Sequence, residues 1–531
     1  MTKQTGTMWV YVGTYTGPMP FVQGKAAGIT VCKLDVGSGE LSIAHTVTGV
    51  TNPSYLVVDA AKKHLYVVEE YASANRETGD VSAFRIDQDT GALTFLNRQP
   101  SHGSEPAHIS VDRTGRWVLA ANYRNGIAAV FPVQEDGGVG PAADIVHHVG
   151  SSIHPVRQTG PHAHWIQADA TNRFVMVPDL GLDAIVVYRF DAEKGKLHPA
   201  DELMVKTSPG ACPRHAVFRP DNRFLYLVNE LDSTFISYAF DAESGQLSRI
   251  QCGSTLPDGF QEESHIAAVR VSPNGRFVYA ANRGHNSIGI FASDPETGML
   301  ANVGHESTQG LIPRDFNIDP TGRFLFAANQ DSNTIVTYRI DEQTGLLETT
   351  GHVANIDTPV CIEFGALVLG DSARQRREGI HSLVPLSAHG RDTFMDEARF
   401  ARSAVIGAGM MGPGIAVVLA GGSDRVALFG RSAASVRRAE KRLDEVLASL
   451  ERNSLLTTDA VGSLHERIRI TDRLDDAVRD TGLVIESISE DLTAKQDLFA
   501  KLEHLCGTET ILASNTSSLR ISDIAANLTY P

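Results

Sequence analysis

The chain has 531 residues, 42% of them hydrophobic and 21% charged, with a net charge of −16. That length exceeds one hydrophobic core, so two or more domains are expected. The acidic balance argues against a nucleic-acid partner, which calls for a basic stripe.

The N-terminus, Met1 to Thr7, carries no apolar signal core, and no run approaches the ~20 apolar residues of a membrane span. Five cysteines, Cys32, Cys212, Cys252, Cys361 and Cys506, show no CxxC spacing, so neither a zinc knuckle nor a disulfide framework is suggested. A cytoplasmic, reducing location with no membrane partner is the expectation.

From residue 8 to 365 the chain repeats. One recurring signal is a turn leading into an apolar strand, as in Asn222-Arg223-Phe224-Leu225 and Gly322-Arg323-Phe324-Leu325. The other is an Asp-x-x-x-Gly-x-Leu turn, as in Asp241/Gly245/Leu247, with a degenerate copy at Glu135-Asp136-Gly137-Gly138. The period of roughly 50 residues suits a four-stranded propeller blade.

Pro53, Pro106, Pro161, Pro213, His265, Pro313 and Pro359 start the expected innermost strands. The last copy lacks a second strand, and Met8 to Gly13 supplies one without a first. Joining the two closes the ring and hides its open edges. An all-β, seven-bladed propeller over residues 1–365 follows.

Strand starts and second-strand ends meet at one mouth, because a short turn makes each pair antiparallel. That mouth gathers Ser54 with Glu69 and Glu70, His108 with Asn122 and Tyr123, and His162 and His164 with Asp179. Around it also come Arg214 and His215 with Glu230, His265 with Asn282 and Arg283, Arg314 with Asn329 and Gln330, and Thr14 with Tyr15. Asn122, Asn282 and Asn329 read as turn formers, and any single mouth residue has a bland reading as a strand-end cap. As a group, arginines at a concave mouth suit an anionic ligand. A carboxylate beside histidines is equipment for acid/base chemistry.

Residues 8–365 resemble the seven-bladed lactonase family, which includes propeller-type 6-phosphogluconolactonases and carboxy-cis,cis-muconate cyclase. The segments that carry the resemblance are Tyr11-Val12-Gly13-Thr14-Tyr15, Pro161-His162-Ala163-His164, Pro213-Arg214-His215, Asn229-Glu230, Ala281-Asn282-Arg283 and Pro313-Arg314-Asp315-Phe316. The resemblance implies that His164, Arg214, Glu230 and Arg283 act on substrate, with Arg314 nearby.

The expected chemistry is hydrolysis of a sugar lactone. Glu230 would be the general base, Arg214 the oxyanion stabiliser, and His164 or His215 the acid for the leaving alkoxide. His108, His162, Arg283 and Arg314 would bind the anionic substrate. Lactone closure from a muconate uses the same groups and stays open as an alternative. No cofactor or metal is expected in the propeller, since the mouth is richer in His and Arg than in the oxygen ligands calcium prefers.

Residues 366–400 break the repeat and read as a linker. Residues 401–531 read as an α/β Rossmann-like domain. Here Gly407-Ala408-Gly409-Met410-Met411-Gly412 follows a β-like run and precedes a helical one, Ile415 to Leu419. This is the arrangement that seats a pyrophosphate on a helix N-terminus. Pro413 falls in the first helical turn, where it is tolerated.

The second strand, Arg425 to Phe429, ends at Gly430 followed by Arg431 and Ser432, where an Asp or Glu for the ribose would stand. NADP thus competes with NAD as the dinucleotide. Val484 to Leu492 and Ala513 to Leu519 resemble the 3-hydroxyacyl-CoA dehydrogenase NAD-binding domain. The resemblance implies cofactor-side roles for Glu490, Lys495 and Asn515 and a substrate-hydroxyl role for Ser517. The sequence ends at Pro531 before the family's His-Phe-Phe-Asn-Pro strand, so an incomplete module without dehydrogenase activity is the expectation. A 3-hydroxyacyl-CoA oxidoreductase fragment is the alternative.

Overall fold

A computed structural model describes residues 6–71, 78–369, 400–409, 411–452, 458–488, 491–507, 510–516, 521–526 and 528. Met410, Glu490, Ser517 and residues 370–399 of the expected linker lie outside the described residues. The chain divides into two compact units, Met1–Leu383 and Val384–Pro531.

The first unit is a ring of seven antiparallel blades. The expected inner strands appear as Pro53–Val58, Pro106–Val111, Pro213–Phe218, His265–Val271, Pro313–Ile318 and Pro359–Leu369. The last of these pairs with Gly6–Thr14, matching Val10 to Phe364 and Val12 to Ile362. This joint closes the ring: the first and last strands of the propeller pair in one blade, which fastens the two ends of the ring together.

The two repeated sequence signals meet in space. Gly245, at φ +81°, has no room for a side chain: a Cβ there would lie 2.3 Å from the ring of Phe174 in the preceding blade. The same contact joins Gly298 to Phe224, Gly345 to Phe277, Gly195 to Trp117 and Gly91 to Trp9. Gly39 on Phe324 carries it across the closing joint, and the degenerate turn keeps it through Gly137 on His64. A left-handed glycine turn thus clips each blade onto the aromatic that opens its neighbour's second strand.

One blade departs from expectation. Its inner strand is reduced to Gln167–Ala168 and a single bridge from Ala163 to Asp179. The Asp179 carboxylate instead accepts the N–H groups of His162 at 2.7 Å, Gly181 at 3.0 Å and Leu182 at 3.1 Å. The carboxylate thus reinforces a short ladder in which the Leu180 N–H donates to the His162 carbonyl at 2.9 Å and the His164 N–H to that of Pro178 at 3.1 Å.

The second unit is a five-stranded parallel sheet in the order Ile468–Thr471, Ser423–Phe429, Phe400–Ile406, Leu483–Glu486, Ile511–Ser514. Helices Gly412–Gly422, Ala433–Arg452 and Leu492–Leu505 are among those that accompany it. The strand order reverses between Phe400–Ile406 and Leu483–Glu486. A doubly wound sheet binds its ligand beyond the carboxyl ends of strands at such a reversal.

Candidate active site in the propeller mouth

Two local devices build the mouth. The first is the period-2 alternation at the end of each second strand. One residue turns outward to fasten loops: Asn122 donates to the carbonyls of Ser101 and Ile127, and Asn282 and Asn329 do the same for Thr255 and Thr308. Glu69 belongs to this class as well, accepting from Thr51 N and Ser82 Oγ and pairing with Arg98. The next residue faces the mouth, which brings in Tyr15, Glu70, Tyr123, Glu230 and Arg283.

The second device is a bulge near the start of an inner strand. It recurs between Pro53 and Tyr55, Pro106 and His108, Pro213 and His215, and Pro313 and Asp315. In a regular strand Arg214 and His215 would face opposite sides. With the extra residue, both line one narrow central cavity with Tyr15, Ser54, Tyr55, Glu70, His164 and Arg314.

Glu230 is the hub, buried at 5% exposure. Its Oε2 lies 2.9 Å from Arg214 Nε and 3.1 Å from Arg283 Nη2, and its Oε1 accepts from Arg157 Nη2 at 2.6 Å. Burial alone would raise its pKa; the guanidiniums of Arg283, Arg214 and Arg157 overcome this and hold it well below the usual range. Arg214 also donates to the Ala267 carbonyl, and Arg283 to that of Ile266 at 3.0 Å.

Arg314 donates to Tyr15 Oη at 2.9 Å and lies 4.7 Å from the Phe21 ring centroid. Tyr15 in turn donates to Glu70 at 2.9 Å. Burial and the nearby charges of Arg283 and Arg314 lower the Arg214 pKa against the pull of Glu230. Positive charge here is undercompensated, and an arriving anion would relieve it.

His108, His164 and His215 form an edge-to-face cluster, with ring centroids 5.3 Å apart for His164–His215 and 5.6 Å for His108–His215. Among the described residues His215 has no hydrogen-bond partner on either ring nitrogen, and His164 none on Nδ1. Burial, reinforced by Arg214, pushes all three imidazoles well below their ordinary pKa, so they are neutral at pH 7. His162 is taken up differently: it stacks on Tyr123 at 4.7 Å, and its Nδ1 lies 3.0 Å from the Tyr123 carbonyl. His265 sits at the rim, 3.4 Å from Glu263. Among the described residues no group of three or more His, Cys, Asp and Glu converges to hold a metal ion.

The imidazoles carry a pH prediction. Each has a folded pKa below its unfolded value of about 6.5, so the unfolded chain takes up the proton first and acid destabilises the fold. The buried carboxyls of Glu70, Asp315 and Glu363 are raised and act in the opposite sense, so a variant difference isolates one imidazole. His215→Phe is expected to gain stability relative to wild type as pH falls from 6.5, by up to about 1.4 kcal/mol per pH unit. Urea unfolding followed by tryptophan fluorescence reads this, since Trp9, Trp117 and Trp165 all lie in the propeller. A difference that does not change with pH would mean that His215 does not titrate in this way.

In the second unit the glycine loop has the required shape. A Cβ on Gly407 would lie 2.2 Å from the Ser487 carbonyl, and one on Gly412 would lie 1.9 Å from the Gly407 carbonyl. Gly409, by contrast, has nothing within 4 Å, which leaves open the approach a pyrophosphate needs. Pro413 falls in the first turn of the following helix, which Met411 precedes.

Asn515 lies beside the loop's neighbour, donating to Ser487 Oγ at 3.2 Å. Arg431 is exposed at the end of the second strand. Lys495, expected on the cofactor side, is fully buried, with Nζ 2.8 and 2.7 Å from the two oxygens of buried Glu486. Its charge is spent inside the unit, where Ser514 completes the cluster on the same carboxylate.

Sequence reasoning missed Tyr55 in the cavity and two contributors to the mouth from outside the repeat. Phe21 comes from the small hairpin of Pro18–Met19 and Val22–Gln23. Arg157 comes from the loop after Asp144–His147. Neither belongs to the repeat, so no register signal could place them.

A seven-bladed ring with a cluster of guanidiniums and buried histidines at its mouth has the architecture of a propeller enzyme. The chain belongs to the lactonase, 7-bladed beta-propeller family, which it matches over residues 9–364. Residues 402–531 match the 3-hydroxyacyl-CoA dehydrogenase, NAD binding domain.

A 6-phosphogluconolactonase of Bacillus subtilis is 37% identical over 319 residues, covering 60% of this chain and 86% of the relative. One from Pectobacterium carotovorum is 35% identical over 53% of this chain and 78% of its own length. The solved Pseudomonas aeruginosa periplasmic gluconolactonase is 32% identical with a TM-score of 0.64, covering 68% of this chain and 99% of that one. No helix among the described residues is long and apolar enough to cross a membrane.

Proposed function

We propose that the propeller hydrolyses a sugar lactone bearing an anionic group, 6-phosphogluconolactone being the first substrate to test. The observation that carries this reading is the Glu230–Arg214–Arg283–Arg157 cluster beside neutral, unpartnered histidines. The lactone carbonyl meets Arg214, which stabilises the oxyanion as water adds.

We assign the base to His164 rather than Glu230. Both Glu230 oxygens are engaged by guanidiniums, whereas His164 Nδ1 has no hydrogen-bond partner among the described residues and can accept a proton. The water proton passes to His164, the C–O bond to the ring oxygen breaks, and the proton goes on to the alkoxide that leaves. Glu230 raises the His164 pKa and so stabilises the transient imidazolium, a division of labour known from Ser-His-Asp sites. Arg283 and Arg314 take the substrate's anionic group. The test is proton release from 6-phosphogluconolactone by the full chain. Turnover at the spontaneous rate, with neutral sugar lactones equally untouched, would sink the reading.

For the second unit the proposal is dinucleotide binding at the glycine loop, with NADP preferred over NAD. The ribose carboxylate is replaced by Gly430, where a Cβ would lie 2.9 Å from Ser435 Oγ and 3.1 Å from Ala408 Cβ. Arg431 offers a guanidinium for a 2′-phosphate. Fluorescence titration should give tighter binding of NADPH than NADH, with the preference lost in Arg431→Ala. Equal affinities in the wild type would overturn it. A cytoplasmic location belongs to the same reading and rests on the five free cysteines.

A further inference from the structure

We infer that Arg157, together with Arg283 and Arg314, holds the phosphate and is a specificity-determining residue that selects a phosphorylated lactone over a neutral one, an inference that rests on the lactonase reading. Arg157 lies outside the seven-fold repeat, on the loop 148–160 between two blades. That loop is folded on itself. Gln158, fully buried, donates to the Leu180 carbonyl at 2.8 Å and accepts from His154 N at 2.9 Å. His154 Nδ1 accepts the N–H of Arg157 at 3.0 Å, and Ser152 Oγ donates to Asp183 at 2.5 Å. The backbone that presents Arg157 is therefore fixed, while its guanidinium reaches the mouth.

Among the guanidiniums on Glu230, Arg157 is the outermost, with a side chain 32% exposed against 3% for Arg214 and 14% for Arg283. It is also the one that can change partners. Arg214 and Arg283 share Glu230 Oε2, whereas Arg157 holds Oε1, with Tyr123 Oη 3.3 Å away. An entering phosphate can draw Arg157 off Oε1 while Glu230 stays paired through Oε2. No buried charge is left alone, so the exchange avoids the penalty that breaking a buried pair carries. A phosphate dianion presents the oxygens a guanidinium fork binds. A neutral sugar lactone has nothing with which to displace a carboxylate, so it gains nothing from Arg157.

The test compares full-length wild type, Arg157→Met and Arg157→Lys on 6-phosphogluconolactone and gluconolactone. In Arg157→Met the ratio of kcat/KM for the phosphorylated over the neutral lactone is expected to fall at least ~10-fold, the order of one charge-assisted contact, and chiefly through KM. Arg157→Lys should recover part of the ratio. A ratio within twofold of wild type, including equal losses on both lactones, overturns the inference, because Arg157 would then act only through Glu230.

If wild type hydrolyses neither lactone, the lactonase reading fails on its own. Calorimetry with 6-phosphogluconate and gluconate then decides the role of Arg157. A phosphate-dependent affinity lost in Arg157→Met supports it. Unchanged affinity in the variant, or no phosphate preference in wild type, overturns it.

Discussion

Arg214→Ala is expected to lower kcat/KM for lactone hydrolysis by about 10²- to 10³-fold, the range seen when one preorganised oxyanion donor is removed. Arg214 is fixed on two sides, by the Ala267 carbonyl and by Glu230 Oε2 at 2.9 Å. A bulge between Pro213 and His215 turns it into the cavity. Its guanidinium is thus aimed before substrate arrives, and no reorganisation is needed as charge develops on the carbonyl oxygen. Arg214→Lys should recover little, since a single ammonium cannot span the carbonyl, the carboxylate and an oxyanion at once. Both variants are to be assayed with folding checked by tryptophan fluorescence. A loss of less than threefold in a folded Arg214→Ala protein would remove Arg214 from the chemistry.

Glu230→Gln is expected to act on stability and on pH dependence together. Without the carboxylate, Arg157, Arg214 and Arg283 face one another uncompensated. Removing one partner of a buried pair costs about 3–5 kcal/mol. The folded pKa of Glu230 is depressed, so its contribution is complete above about pH 4.3 and is lost as pH falls towards the folded value. The stability gap between wild type and Glu230→Gln should therefore be full at neutral pH and narrow in acid.

The rate profile separates two roles for Glu230. If His164 is the base, the acid limb of kcat/KM persists in Glu230→Gln and moves to lower pH, because Glu230 raises the His164 pKa. His164→Gln would abolish that limb. If the limb instead vanishes in Glu230→Gln, Glu230 itself takes the proton and the assignment to His164 is wrong.

Much of this protein was legible in its sequence. The repeated Arg-Phe and Asp-x-x-x-Gly turns established blade number and ring closure, because each marks a local event: a strand start, or a left-handed glycine. Antiparallel pairing across a short turn then placed Arg214, His215 and Glu230 at the same end of their blade, with no tertiary information needed. The glycine loop was legible for the same reason, since Gly407 takes a left-handed φ of +133° and Gly412 answers to the Gly407 carbonyl within the loop itself.

Tertiary structure decided what these residues do. The proline that opens the inner strand marks the bulge that turns Arg214 and His215 to one side, but which side chains it brings together depends on the closed ring. Arg157 comes from a loop outside the period, and only the fold brings it 2.6 Å from Glu230, 73 positions away. Lys495 follows the cofactor motif in sequence but is paired with Glu486 inside the unit. Protonation is the clearest case. Glu230 stays ionised against its burial because of guanidiniums gathered from several parts of the ring, and His164 is neutral because of burial and Arg214; such distances are set only when the ring closes.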